Sequence, residues 1–192
     1  MDNKEVMTLG IFAHANAGKT TVTEQLLYHT NVKKTIGRVD YGNTTTDNLK
    51  VEQERGISVR ASMVTLPLND RNVQLIDTPG HVDFSSEVER AINVLDGAIL
   101  VVSGVEGVEP QTQVIWKILQ ERRIPTIIFI NKMDRMGSDY NKVIKEMQNK
   151  LSASILPIVE VTKNSDGSLN YTDTRDEDII EYLAEIDEFI LE

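Results

Sequence analysis

Short apolar runs and stretches of helical periodicity alternate along most of the chain. Val6–Ala13 is a mainly apolar run that reads as a strand, and after Gly18 the residues Val22, Leu26 and Leu27 recur at helical spacing. Residues 31–57 are polar, rich in Gly, Thr and Asn, and carry no period. They read as a long mobile loop, and a loop of that length inside a compact domain is usually functional. Residues 59–68 and 73–76 read as two strands joined by the turn signal Asn69-Asp70. Residues 82–95 regain a helical period through Val88, Ile92 and Leu95.

The runs 98–102 and 124–130 are continuously apolar, which suits strands buried on both faces of a parallel sheet. A helix starting at Pro110 lies between them, and another over 138–152 sets Val143, Ile144, Met147 and Leu151 on one side. A further strand is expected over 155–161, then a turn at Asn164-Ser165-Asp166-Gly167, then a helix with Ile179, Leu183, Ile186 and Ile190 along one stripe. This order predicts an α/β fold: a mainly parallel sheet with one antiparallel strand, right-handed crossovers, and helices on both faces.

Composition narrows the class. With 192 residues, 40% hydrophobic and 26% charged, the chain fits one globular domain. It has no cysteine, which removes disulfides and Cys-based metal or redox sites and suits a cytoplasmic location. No apolar run is long enough to cross a bilayer, so no membrane partner is expected, and a monomer is. The net charge of −10 is uneven: residues 173–192 carry nine acids against Arg175, leaving the body near neutral. Neither part offers the basic stripe of a nucleic-acid surface.

Three segments carry chemistry. Ala13-His14-Ala15-Asn16-Ala17-Gly18-Lys19-Thr20 lies between the first strand and the first helix, with Thr21 next. It matches the phosphate-loop pattern from Gly18 onward, with Ala13 where the pattern has glycine. Small residues let backbone N–H groups approach a phosphate chain, Lys19 supplies a point charge, and the Thr20 hydroxyl suits Mg²⁺. Asn131-Lys132-Met133-Asp134 follows an apolar strand, at the edge where α/β sheets bind ligands. Guanine presents N1–H and a 2-amino group side by side, and Asp134 can accept from both. Adenine lacks that pair. Lys132 can lay its stem over the base, while Asn131 can bind the base edge and brace the phosphate loop.

Asp77-Thr78-Pro79-Gly80-His81 follows another strand. Asp77 can hold Mg²⁺ through a water, the Gly80 amide can bond a γ-phosphate, and His81 can orient an attacking water. Ser58, in Arg55-Gly56-Ile57-Ser58, is placed to give Mg²⁺ a second hydroxyl.

The segments EQERGIS, DTPGHVDF, SEVERAINVLDGAILVVSGVEGVEPQT and NKMDRMG resemble elongation factor G. VDYGNTTTDN and LDGAILVVSGVEG are still more similar to the tetracycline-resistance ribosomal protection proteins. The resemblance covers residue 6 to about residue 160. It implies a P-loop NTPase fold, GTP and GDP as ligands with Mg²⁺, the ribosome as partner, and His81 as the residue that acts in hydrolysis. Three positions depart from the family pattern: Asn16 replaces Asp, Ala15 replaces Val or Ile, and Ser58 replaces Thr. The resemblance also implies a division into a GTP-binding domain at 1–153, without its final strand and helix, and the start of an inserted subdomain at 154–192.

Overall fold

A computed structural model of the chain describes residues 6–37, 62–68, 71–78, 92–164 and 166–174. A five-stranded sheet is built from β1 (Val6–Ala13), β2 (Ser62–Leu68), β3 (Arg71–Asp77), β4 (Gly97–Ser103) and β5 (Thr126–Asn131) in the order β2-β3-β1-β4-β5. β1 runs parallel to β3 and β4, and β4 parallel to β5, while β2 is antiparallel to β3. The expected mixed sheet is therefore present. Its helices are α1 (Lys19–His29), α2 (Pro110–Glu121) and α3 (Tyr140–Lys150).

The period-2 alternation of a strand sends successive side chains to opposite faces, and β1 and β4 show both faces filled. Phe12, Leu100 and Val102 join Ile115 and Leu119 of α2 and Val143 and Met147 of α3 in one core. Ile11, Ala13 and Val101 point the other way and join Leu27 of α1 with Leu66, Val73 and Leu75. Leu27, Leu75, Leu100 and Leu119 are at most 1% exposed, and burying each stabilises the fold by about 2 kcal/mol. α2 begins with proline at its first turn, where no N–H is needed, and the Asp139 side chain caps α3 by accepting from the Lys142 amide.

Two expectations are corrected. β5 is not buried on both faces: Ile128 and Ile130 pack against the α2–α3 core, but Ile127 and Phe129 stay exposed on the other side. β5 is the edge of this sheet, and among the described residues nothing covers that face. The strand expected over 155–161 is displaced to β6 (Val159–Lys163). Pro157 has no N–H to give a ladder, which keeps 155–158 out of it. β6 pairs antiparallel with a strand not anticipated, β7 (Leu169–Asp173). The expected turn joins them, closed by the Asn164 amide on the Ser168 carbonyl and supported by Gly167 at φ 85°. The helix expected over 82–95 lies largely outside the described residues, and the helix over 179–190 wholly so.

Candidate functional site

The phosphate-loop residues leave β1 at Ala13 and enter α1 at Lys19, along the edge where β1 and β4 end. The turn closes through the Ala17 amide on the His14 carbonyl at 3.2 Å. Asn16 (φ 64°) and Gly18 (φ 95°) are both left-handed. Asparagine tolerates that region better than most residues, which gives Asn16 a backbone reason for its place. At Gly18 a Cβ would collide with Nδ2 of Asn131, so only glycine fits.

Lys19 and Thr20 are buried, whereas Ala15, Asn16 and Thr21 are exposed. Lys19 forms an ion pair with Asp77 at the end of β3, and both are nearly fully buried. Two buried opposite charges compensate each other here, since either alone would carry a large desolvation cost. Thr78 turns inward, its hydroxyl donating to the Ile11 carbonyl at 2.7 Å, which ties the β3 end to β1.

His14 is 5% exposed, and its Nδ1 lies 3.0 Å from the hydroxyl of Thr112 on α2. The Ala15 amide donates to Oε1 of the neighbouring Gln111 at 3.2 Å. Hence the loop is docked on the first turn of α2. Burial holds the His14 pKa below its ordinary value; Glu109 and Glu106 oppose that shift and Lys132 adds to it.

The second segment meets the first. Asn131 ends β5, and its Nδ2 donates to the Ala17 carbonyl at 2.9 Å. The bracing expected of Asn131 is the geometry found. Lys132 follows in left-handed backbone (φ 62°), with Nζ 3.4 Å from each carboxylate oxygen of Glu106. Met133 is buried beneath, and the Ser138 hydroxyl donates to its carbonyl at 2.7 Å. The Asp134 side chain is 75% exposed at the rim, with Arg135 at 3.9 Å. A carboxylate this exposed stays solvated.

Ser58, Gly80 and His81 lie outside the described residues. Among the described residues, Thr20 and Asp77 present hard oxygen donors beside a lysine at the helix start, a set that fits Mg²⁺ and phosphate.

Sequence reading missed Thr112, Gln111, Glu106 and Glu24. Glu24 is fully buried on α1, where its Oε2 accepts from Lys33 Nζ at 2.7 Å and from the Gly37 amide at 2.8 Å. A polar residue on the apolar face shared with Ile115 and Leu119 was the available signal for Thr112, whereas Glu24 lies off the Val22, Leu26 and Leu27 stripe and carried no such signal.

A family model described as the elongation factor Tu GTP binding domain matches residues 4–187. The chain belongs to that family. It is a GTP-binding domain of the translation-factor GTPases. It is 46% identical over 194 residues to the tetracycline resistance protein TetP of Clostridium perfringens, covering 98% of this chain and 30% of that protein. An oxytetracycline resistance protein of Streptomyces rimosus is 50% identical over 155 residues, covering 81% of this chain and 23% of its own. Elongation factor G of Gluconobacter oxydans (strain 621H) is 47% identical over 154 residues, covering 80% of this chain and 22% of its own. A crystal structure of a Thermus thermophilus protein superposes with a TM-score of 0.82 at 28% identity, covering 98% of this chain and 33% of that one. The domain thus spans less than a third of the length of these curated relatives. No helix among the described residues is long and apolar enough to cross a membrane.

Proposed function

We propose that this GTP-binding domain binds GTP and GDP with Mg²⁺ between the phosphate loop and the base tetrad, and hydrolyses GTP as part of a longer factor acting on the ribosome. The observation that supports this nucleotide site is the Asn131–Ala17 hydrogen bond, because it joins the segment read as the phosphate cradle to the segment read as the base reader. In this reading the loop Ala13, His14, Ala15, Asn16, Ala17 and Gly18 supplies backbone, with Thr21 beside it. Lys19 exchanges its contact with Asp77 for the phosphates. Thr20 and Ser58 would hold the metal, with Asp77 acting on it through a water. A bound Mg²⁺ would supply neutralisation of phosphate charge. Asp134 accepts from the guanine donor pair, which selects GTP over ATP.

Hydrolysis in this reading is in-line attack of water on the γ-phosphate, with Gly80 sensing that phosphate and His81 orienting the water. Positioning and charge do the catalytic work, and intrinsic turnover is slow until the ribosome orders the site. The names of the first two relatives support the tetracycline-resistance branch for the parent, a cytoplasmic protein; an elongation factor G-type translocase is the second reading, supported by the third relative. The partition at residue 153 belongs to the same proposal. Its support is that β6 and β7 form a sheet separate from the five-stranded one. Phosphate release by the full-length parent, with and without ribosomes, tests the reading. Stimulation by ribosomes that His81→Ala abolishes is expected. Fast release by the isolated chain overturns the dependence on the ribosome, whereas no release even with ribosomes overturns the hydrolytic assignment and leaves a binding-only switch.

A further inference from the structure

Glu106 stands on the loop between β4 and α2, and no role was read for it from the sequence. Nevertheless, that loop is tied down along its whole length. Ser103, fully buried, donates its hydroxyl to the Glu106 carboxylate and accepts from the amides of Val105 and Glu106 at 3.2 and 3.3 Å. The Gly107 amide closes on the Ser103 carbonyl at 2.9 Å. On the tetrad side, the Gly104 amide donates to the Asn131 carbonyl at 2.7 Å, and the Gly104 carbonyl accepts from the Asp139 amide at 3.1 Å.

On the α3 side, Glu146 Oε2 accepts from the Val108 amide at 3.0 Å, and Lys150 Nζ donates to the Val108 carbonyl at 3.3 Å. The Val108 amide holds the Glu146 carboxyl below the usual carboxylate range, so this anchor stays ionised at neutral pH. Gly107 is left-handed (φ 73°), and a Cβ there would strike the Glu146 carboxylate.

Such a loop presents the Glu106 carboxylate at a fixed place, and what it faces is Lys132. Both carboxylate oxygens lie 3.4 Å from Nζ, and the lysine side chain is only 24% exposed. At that distance the contact is electrostatic rather than a strong hydrogen bond, and a partly exposed pair adds little to stability by itself. Its effect is on conformation. A lysine stem has large rotamer freedom, and a fixed partner removes part of what would otherwise be lost on ligand binding.

We propose that Glu106 is a positioning residue for base recognition, holding the Lys132 side chain in place for a guanine base. This rests on the reading of Asn131, Lys132 and Asp134 as the guanine reader. Glu106 touches Lys132 and acts through it.

The test is GDP affinity and dissociation rate for Glu106→Gln and Glu106→Lys, alone and with Lys132→Ala. Glutamine can still accept from Ser103, so it spares the loop while removing the charge that faces Lys132. Thermal unfolding verifies that both variants fold. The expected result is GDP binding about threefold to fivefold weaker in Glu106→Gln, through faster dissociation, and at least about tenfold weaker in Glu106→Lys. Inorganic triphosphate should bind all of them alike, and the Glu106→Gln effect should vanish in the Lys132→Ala background. Unchanged GDP binding in both single variants, or an equal loss of triphosphate binding, overturns the positioning role alone. A wild-type chain that binds triphosphate but shows no preference for a guanine base overturns the base-reader assignment and this proposal together.

Discussion

Nδ2 of Asn131 donates to the carbonyl of Ala17 across 2.9 Å, joining residues 114 apart in sequence. Each of the two segments lies at the end of a separate strand, and this bond sets them in register. Asn131→Ala leaves the carbonyl of the fully buried Ala17 without this donor, which costs about 1–3 kcal/mol. Urea unfolding should show a lower midpoint with unchanged slope, and GDP titration an affinity at least about tenfold weaker.

Gly18→Ala attacks the same joint from the other side. It places a Cβ against Asn131 at a left-handed position. We expect about 2 kcal/mol of destabilisation or more, with nucleotide binding reduced beyond what the stability loss explains. Calorimetric titration at a temperature where both proteins are folded separates the two effects.

How legible this site was depended on the kind of information each residue carries. β1, β4 and α2 follow from apolar period, because their side chains fill two cores on opposite faces of the sheet. The loop and the tetrad follow from residue type at fixed spacing beside a strand end. By contrast, the apolar face of α2 marks Thr112 as buried but not its partner: His14–Thr112 and Lys132–Glu106 join distant segments, and such pairings leave no periodic trace. β7, with the sequence Leu-Asn-Tyr-Thr-Asp, is mostly exposed and has one apolar aliphatic residue, so no alternation announces it. The exposed side of β5 was misjudged for another reason: an apolar run records what a strand is suited to pack against, not what covers it.

Protonation of His14 should be visible in stability. Burial lowers its pKa in the folded chain, so between the folded and unfolded values the unfolded chain binds more protons. The neutral ring's contribution is fully present above the ordinary histidine value of about 6.5. It is lost as pH falls from there through the lower folded value. Urea unfolding from about pH 7.5 down to about pH 5, a range that brackets the ordinary value, should show stability falling more steeply in the wild type than in His14→Gln. Parallel profiles would remove His14 as the cause.

Glu24 should matter although it is far from the tetrad in sequence. It is fully buried, and it holds Lys33 and the Gly37 amide against α1. Glu24→Ala removes one partner of a largely buried pair and is expected to cost about 3 kcal/mol. Glu24→Gln keeps an acceptor for Gly37 and should cost clearly less. Thermal and urea unfolding of the two variants in parallel would measure the difference.

The most direct test of the central claim is competition binding. The chain is titrated with fluorescent GDP in Mg²⁺ buffer, and then unlabelled GDP, GTP and ATP are compared as competitors. A joined phosphate loop and base tetrad predicts that GDP and GTP displace the probe at concentrations at least about 100-fold below ATP, and that Asp134→Ala erases most of this difference. Equal displacement by ATP would contradict the assignment of Asn131, Lys132 and Asp134 as a guanine-selective site.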